Sequence, residues 1–278
     1  LFRTHHHQTV VKPDVAALLP RLIWHMDEPI ADTAFITTYL VSEFARTDVK
    51  VILSGVGGDE LFGGYRRYLG NHYQQYFEML PGWIRRTAVA VGERLPSDRH
   101  SPLLNITRLA RGFLASAELS FEERYKSYVE VFPAREVDRM SRVRGITRPD
   151  AIHAAFRCAG GEDALNRMLA VDAETQLPDD LLLLTDKMSM ATSLECRVPL
   201  LDHELVELAA AMPETTKVRG GRLKHVLKQA LADVLPVDIL ERKKRGFGTP
   251  MGAWLWTELP APRGSLLGAA SGGKRGLF

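Results

Sequence analysis

The sequence has few cysteines and no long apolar run, and both shortages exclude classes of protein. Only two of its 278 residues are cysteines. Neither Cys158 nor Cys196 belongs to a C-x-x-C pair, so a disulfide framework is excluded and a reducing compartment fits best. The longest apolar stretches, such as residues 181–184, fall far short of the roughly 20 residues that a transmembrane helix needs. We therefore expect a soluble, cytoplasmic protein.

A strong charge of either sign is also missing. The 36 Lys and Arg residues against 34 Asp and Glu residues leave a net charge of +2, too mild for sequence-independent binding of nucleic acid. A composition of 45% hydrophobic and 25% charged residues excludes a disordered, collagenous or coiled-coil chain. The length predicts one large domain or two small ones, with acidic small molecules as eligible partners.

Both ends of the sequence are unusual for a natural terminus. The chain begins with Leu1 and has no signal peptide, so no export is expected. His5–His7 lead directly into a strand-like run, which we favour over a metal site or a tag remnant. Residues 264–278 are rich in Gly, Ser and Ala and stop on an apolar pair. We expect a domain truncated at both ends.

The clearest strand signal lies between a helix and a glycine-rich loop. Cap residues and apolar spacing predict a helix over residues 33–46. The β-branched run at 49–53 predicts a strand buried on both faces of a parallel sheet. Residues 54–58 then break the pattern before Asp59 and Glu60 begin a helical turn. This order predicts an α/β fold.

The rest of the sequence predicts mainly helix. Residues 66–175 carry helical signals interrupted by prolines. No repeat of fixed period is present, so a solenoid is disfavoured. Two later helices are predicted by the spacing of apolar residues, namely Leu205, Leu208, Ala209 and Met212, and then Leu223, Leu227, Ala230, Leu231 and Val234.

The glycine loop at 54–60 is the first candidate site. Ligands of parallel α/β sheets bind beyond the carboxyl ends of the strands, where glycines admit a phosphate and Ser54 adds a donor. The loop has no cation and matches no common phosphate-binding motif. Asp59 and Glu60 would repel a bare polyphosphate, so Mg²⁺ would have to bridge carboxylate and phosphate. A tight turn with Asp59 as helix N-cap is the alternative, and both remain open.

Residues 186–202 form a second candidate site. Glu195, Arg197 and Asp202 lie among apolar residues, which predicts that they are partly buried and hydrogen-bonded. A structural network is the alternative, with Asp202 as the cap of the following helix. Nearby serines have no base or nucleophile elbow beside them, so nucleophilic catalysis is disfavoured.

A third segment, residues 241–248, places four cations beside a glycine-containing loop. Such runs are usually solvated surface. The alternative is capture of phosphate by a lysine, whose compact charge can follow a leaving pyrophosphate. Together the three segments offer what nucleotide-dependent acyl activation requires.

The three segments resemble the synthetase domain of the glutamine-hydrolysing asparagine synthetases. Residues 53–65 read L-S-G-V-G-G-D-E-L-F-G-G-Y, similar to the family's L-S-G-E-G-S-D-E-L-F-G-G-Y. Residues 195–202 read E-C-R-V-P-L-L-D against E-A-R-V-P-F-L-D, and Lys244 precedes a G-F-G turn as the family's catalytic lysine does. Three motifs in the right order make the resemblance specific.

The resemblance implies a fold of the ATP-pyrophosphatase type (adenine nucleotide alpha hydrolase-like), a parallel sheet with a large, mostly helical extension. The implied reaction is adenylation of aspartate by ATP, followed by amination to asparagine with ammonia from glutamine. Asp59, Lys244 and Asp202 would be catalytic, with Asp59 on Mg²⁺, Lys244 stabilising pyrophosphate and Asp202 orienting the lysine. ATP would contact Ser54, Gly55, Gly57 and Glu60.

Two departures from the family limit the resemblance, and the first is that two of its segments are missing. The upstream pyrophosphate loop S-G-G-x-D-S and the glutaminase domain with its N-terminal cysteine are absent from these residues. We therefore expect a partial synthetase domain, with residues 1–66 as the remaining sheet portion and 67–278 as the mainly helical portion, inactive alone. Its partners would be small molecules and the glutaminase domain, with no nucleic acid or membrane, and a homodimer is compatible with this.

The second departure is Val56, where asparagine synthetases carry a glutamate. Its loss leaves open a related amidotransferase or a β-lactam-synthetase-like enzyme acting on another carboxylate. A non-catalytic relic of the fold is the alternative from another class. Retention of Asp59, Asp202 and Lys244 favours an enzyme.

Overall fold

Helices dominate the computed structural model, which describes residues 2–11, 13–94, 102–140, 150–160, 163–242, 249 and 254. The first elements are α1 (Val15–Met26), α2 (Ala34–Ala45), β1 (Val51–Leu53), α3 (Gly58–Phe62), α4 (Arg66–Glu78), α5 (Gly82–Glu93), α6 (Pro102–Ser116), α7 (Phe121–Val129), α8 (Ala134–Met140), α9 (Ala151–Cys158) and α10 (Ala164–Glu174). A π-helical segment (Leu177–Leu182) and a 3₁₀ turn (Pro199–Leu201) accompany the remaining elements, α11 (Leu183–Met190), β2 (Glu195–Arg197), α12 (His203–Ala211), α13 (Glu214–Lys217), α14 (His225–Ala230) and α15 (Val237–Leu240). No described helix is both long and apolar enough to cross a membrane.

The two strands form a small parallel sheet. Val51 pairs with Glu195, and Leu53 pairs with Arg197. Just beyond the strand, the Ser54 amide donates to the Arg197 carbonyl at 2.8 Å. Because the strands are parallel, both chain segments leave the sheet at the same edge. The glycine loop after β1 therefore lies beside the 3₁₀ turn after β2.

The predicted strand is confirmed, but its predicted burial is wrong. The strand covers residues 51–53 of the expected 49–53, and Val51 is 40% exposed and Leu53 73% exposed. The physical reason is that β1 pairs with β2 alone within the described part of the chain. An apolar run is buried only where neighbouring strands and helices cover both faces.

The helix before β1 agrees with its prediction. It spans Ala34–Ala45, and an Asp32 carboxylate oxygen accepts a hydrogen bond from the Ala34 amide at 2.9 Å. Helices α1, α2 and α11 pack together through one buried cluster. This cluster holds α11 in place, and α11 leads directly into β2. Its members are Leu22, Met26, Phe35, Ile36, Tyr39, Leu184 and Met188.

The predicted helical region at 66–175 is confirmed in its described residues. Its core is a second cluster formed mainly by α4, α7, α9 and α10. The Tyr125 and Phe156 rings meet edge to face with centroids 5.2 Å apart, a favoured aromatic geometry. The buried members are Tyr68, Tyr125, Ala155, Phe156, Leu165, Met168, Leu169, Val171 and Val218.

The two late amphipathic helices are only partly as predicted. The first is α12, but Leu208 on its expected apolar face is 55% exposed. The second is shorter than expected and covers only His225–Ala230. It begins late because Lys224 has a left-handed backbone conformation (φ 54°), which excludes Leu223 from the helix.

Candidate active site at the carboxyl edge of the sheet

The glycine loop turns sharply between β1 and α3. Gly57 is the N-cap residue of α3 and has φ 95°, a conformation that glycine adopts without strain. A Cβ atom on Gly57 would lie 2.3 Å from Leu201 Cδ2, so the loop backbone packs directly on the turn after β2. The structure thereby brings the first two sequence motifs into contact.

Asp59 lies in the first turn of α3, with its side chain 19% exposed. The alternative interpretation of Asp59 as the N-cap is wrong, because Gly57 occupies that position. The bare backbone of Gly64 supports the carboxylate from behind, since a Cβ there would lie 1.7 Å from Asp59 Oδ1. The carboxylate is therefore fixed beside the positive end of a helix.

A lysine that the sequence analysis missed faces Asp59. Lys224 Nζ lies 2.9 Å from Asp59 Oδ1, and the lysine side chain is 28% exposed. Nζ also lies 3.7 Å from where a Cβ on Gly58 would be, so the ammonium lies close to the first turn of α3. The loop that has no cation of its own receives one from a distant segment. No local motif marks Lys224; only the preceding pair of glycines signals an unusual turn.

Ser54 and Gly55 are the first two residues of the loop after β1. Ser54 Oγ accepts a hydrogen bond from the Val56 amide at 3.3 Å. Burial raises the pKa of the Cys196 thiol, while a hydrogen bond with Ser54 opposes that rise. A Cβ on Gly55 would meet nothing within 4 Å, so open space adjoins its backbone. A ligand can approach the chain closely at Gly55.

Glu60 has a different environment from its neighbour Asp59. Its side chain is only 2% exposed and accepts a hydrogen bond from the Tyr65 hydroxyl. Burial, followed by the charge of Glu60, raises the pKa of Tyr65 far above its usual range. Glu60 thus anchors α3 to the residues that follow it, and its contact with ATP stays a prediction.

The second motif is more exposed than predicted. Glu195 and Arg197 point to the same side of β2, where their side chains are 55% and 64% exposed and pair with each other at 2.7 Å. Asp202 is exposed and accepts a hydrogen bond from the Glu204 amide at 3.0 Å. The expected burial of these three residues is therefore wrong, because β2 pairs with β1 alone in the described part of the chain, whereas their expected hydrogen bonding is confirmed. The alternative interpretation of Asp202 as the cap of α12 is confirmed.

Lys244 and the rest of residues 243–248 lie outside the described residues. The residues on either side can be placed. Before the run, Glu241 pairs with Arg222 and with Lys228, the latter at 3.7 Å. After it, Thr249 Oγ1 donates to the Thr33 carbonyl at 3.5 Å, at the N-terminus of α2. The role of Lys244 and its orientation by Asp202 stay predictions.

Asp180 is a second residue that the sequence analysis missed. It lies in the π-helical segment, a geometry often found at functional sites. Its buried Oδ1 atom has no hydrogen-bond partner among the described residues. Burial, and then the charge of Asp32, raises the pKa of Asp180 to about 6. The influence of the Asp32 charge on this pKa places Asp180 near the N-terminus of α2.

A divalent cation at this site would take part of its ligands from a bound substrate. No group of three or more His, Cys, Asp or Glu residues in the described part of the chain has metal-site geometry. Mg²⁺ is commonly held by one or two carboxylates together with the phosphates of its substrate. A single accessible carboxylate, Asp59, fits that mode of binding.

Comparison with known proteins leads to the same family that the three sequence motifs resemble. The asparagine synthase family model matches residues 1–278. A putative glutamine-hydrolysing asparagine synthetase of Mycobacterium tuberculosis (strain H37Rv) is 36% identical over 256 residues, covering 90% of this chain and 37% of that protein. Asparagine synthetase 1 of Bacillus subtilis (strain 168) is 34% identical over 244 residues, with 87% and 37% covered.

More distant relatives have other names. An amidase of Gibberella zeae is 21% identical over 263 residues, covering 88% of this chain and 39% of that protein. No solved structure matches the chain at a significant level. The chain spans 37% of the length of the two asparagine synthetases above. With the family model matched over its whole length, this chain belongs to the asparagine synthase family.

Proposed function

We propose that this chain carries the adenylation and amide-forming centre of an asparagine synthetase. Family membership supports ATP-dependent amide formation in general. In the proposed reaction, aspartate is adenylated with release of pyrophosphate, and ammonia derived from glutamine then displaces AMP to give asparagine. The observation that carries the proposal is the position of Asp59. It lies in the first turn of a helix that follows an open glycine loop at the carboxyl edge of a parallel sheet.

The same geometry supports a fold of the ATP-pyrophosphatase type. Nucleotides bind to such parallel sheets beyond the carboxyl ends of the strands. The open backbone at Gly55 lies in the loop that joins the carboxyl end of β1 to the start of α3. Contacts of ATP with Ser54, Gly55, Gly57 and Glu60 are part of the proposal.

Asp59 would hold Mg²⁺ on the nucleotide phosphates, where the cation would neutralise charge on the leaving pyrophosphate. The chain itself fixes the Asp59 carboxylate against Gly64 and orients the loop through Gly57. Lys244 would supply further charge stabilisation, with Asp202 as its orienting residue. These groups bind and orient the substrate, and none of them needs to transfer a proton.

The proposal also includes the cellular compartment of the enzyme and the source of its ammonia. The free cysteines Cys158 and Cys196 support a reducing compartment such as the cytoplasm. The ammonia would come from glutamine hydrolysed at a glutaminase domain; the names of the relatives give glutamine hydrolysis for those proteins.

The test measures two activities of the full-length protein side by side. Asp59→Asn should abolish ATP-dependent release of pyrophosphate, because an amide is a much weaker Mg²⁺ ligand than a carboxylate. Glutamine hydrolysis should be largely unchanged. The matched control is Asp233→Asn at an exposed position, which should keep both activities. Unchanged pyrophosphate release in Asp59→Asn would show that Asp59 has only a structural role.

A second candidate function rests on Val56. This half-buried apolar residue replaces the glutamate that the family's motif carries close to Asp59. Its side chain cannot bind the amino group of an aspartate substrate. A related synthetase acting on a different carboxylate is the alternative. Pyrophosphate release measured with aspartate and with carboxylates that lack an α-amino group distinguishes the two, since activity with aspartate alone excludes the alternative.

A further inference from the structure

The Lys224–Asp59 ion pair joins the proposed metal ligand to a lysine that lies outside the three sequence motifs. The 2.9 Å separation is that of a direct, charge-assisted contact. Both side chains are partly exposed, at 28% and 19%. The pair is therefore accessible to a ligand entering from the open side of the glycine loop.

The backbone around Lys224 is built to hold this side chain in place. Lys224 has φ 54°, a conformation that costs energy for a residue with a side chain and is often found at functional sites. Two left-handed glycines, Gly220 and Gly221, and the paired backbones of Arg219 and Arg222 form the tight turn before it. Pairing of Arg222 with Glu241 fixes the same segment from the other side.

Gly64 completes the arrangement. A Cβ on Gly64 would lie 1.7 Å from Asp59 Oδ1 and 2.4 Å from Lys224 Cε. Both partners therefore pack on the same glycine backbone, and only glycine leaves room for the contact. The pair is a feature of the packing around α3 and not a chance meeting of two surface side chains.

We propose that Lys224 neutralises Asp59 before substrate binds, so that the carboxylate accepts a divalent cation only when the cation arrives with a polyphosphate. A free cation must displace the ammonium and then remain beside its positive charge. A cation already bound to a nucleotide brings negative charge that compensates the displaced ammonium. Lys224 is thus a positioning and selectivity residue that favours the metal–nucleotide complex over the free metal. This inference rests on the proposed role of Asp59 as a metal ligand.

The test measures binding of Mn²⁺ to the full-length protein by electron paramagnetic resonance, without turnover. In the absence of nucleotide, Lys224→Met should bind Mn²⁺ about tenfold more tightly than the natural protein, a change of about 1.4 kcal/mol. Lys224→Arg keeps the charge and should bind Mn²⁺ as weakly as the natural protein. With a non-hydrolysable ATP analogue present, the difference between Lys224→Met and the natural protein should disappear or reverse.

The matched control is Lys228→Met. Lys228 has a similar exposure of 27% and pairs with Glu241 instead of Asp59, so its loss should leave Mn²⁺ affinity unchanged. Circular dichroism of each variant establishes that it is folded. Equal Mn²⁺ affinity in Lys224→Met and the natural protein, or an equal gain in Lys228→Met, would overturn the inference.

A double variant separates this inference from the proposed function. Asp59→Asn placed in the Lys224→Met protein should remove the gain in Mn²⁺ affinity. If the gain persists, Asp59 is not the metal ligand, and both proposals fail. If Asp59→Asn weakens binding of the metal–nucleotide complex while Lys224→Met has no effect on free Mn²⁺, the metal site stands and the role of Lys224 is wrong.

Discussion

Arg67 and Asp172 form an ion pair at 2.6 Å in which the Asp172 side chain has no exposure at all. The Tyr68 and Tyr125 hydroxyls donate to the same carboxylate. Burial, followed by the charge of Asp172, raises the pKa of both tyrosines well above the usual range. A charge buried this deeply is tolerated because each of its oxygens has partners.

The pair also connects the helical core to the glycine loop. The Arg67 guanidinium lies 4.3 Å from the centroid of the Tyr65 ring, over which it stacks. Tyr65 in turn donates its hydroxyl to Glu60 in α3. A continuous series of polar contacts therefore runs from Asp172 in α10 to the helix that bears Asp59.

Removing the Asp172 charge should destabilise the protein strongly. We expect Asp172→Asn to lower the free energy of unfolding by about 3–5 kcal/mol, because Arg67, whose side chain is only 13% exposed, is left without its counter-charge. Denaturant titration followed by circular dichroism measures the change. Glu136→Gln is the control, since Glu136 pairs at 3.5 Å with Arg139, which is 77% exposed, and should cost less than 1 kcal/mol. A loss below 1 kcal/mol in Asp172→Asn would contradict the prediction.

A methyl group at Gly64 should disturb the site more than the fold. The Cβ of Gly64→Ala would lie 1.7 Å from Asp59 Oδ1, so the carboxylate must move. A displacement of this size typically costs about 10²-fold in rate, whereas overpacking costs about 1–3 kcal/mol of stability. Pyrophosphate release and thermal unfolding are the measurements.

The control for Gly64→Ala is Gly82→Ala, at a position where a Cβ meets nothing within 4 Å. Gly82 begins α5, where alanine is the better helix former. Its replacement should leave the rate unchanged. Full activity of Gly64→Ala would mean that the position of Asp59 does not limit the reaction.

Asp180 should make stability fall as the pH rises. Its pKa is about 6 in the folded protein against a usual value of 3.8, so the folded state binds more protons between these two values and loses stability through this window. Asp180→Asn should therefore be more stable than the natural protein at pH 7.5, by about 1 kcal/mol after allowance for solvent screening. Below pH 3.8 the advantage should vanish. Thermal unfolding over this pH range tests both statements, with Asp179→Asn at the exposed neighbouring position as control.

In the basic run, we expect Lys244 and not Lys243 to be the catalytic cation, because only Lys244 has the family's spacing to Gly246 and Phe247. Lys244→Ala should lower kcat for pyrophosphate release by roughly 10² or more, the usual cost of removing one charge-stabilising group. Lys243→Ala should have a mild effect. Lys244→Arg should restore only part of the activity, because its planar donors differ from a point charge. If the Lys243 variant is the inactive one instead, Lys243 is the catalytic cation and the match to the family's motif is wrong by one residue.

Features fixed by neighbouring residues could be predicted from the sequence. The helix at 33–46, the strand within 49–53 and the acidic start of α3 each follow from local signals, namely a cap, a β-branched run and a glycine break. Capping of α12 by Asp202 was also foreseeable, because a cap acts on the residues that directly follow it.

Features that depend on distant partners could not be predicted. Burial of the strand depends on how many strands flank it, and burial of Glu195 and Arg197 depends on the same sheet. The Lys224–Asp59 contact joins segments separated by most of the described helices. The residues that flank Asp59 and Lys224 in the sequence give no signal that the two side chains lie together.

The exposed edge of β1 has a practical consequence for handling the protein. Within the described residues, β1 is paired on one side only and exposes Val51 and Leu53, and an edge strand of this kind can pair with the same strand of another molecule. Natural proteins protect such edges with charges, prolines or a covering element. In β1 itself, Val51–Leu53 contains no charge and no proline. We therefore expect the isolated chain to aggregate at high concentration through β1, and Leu53→Lys to reduce that aggregation as measured by light scattering.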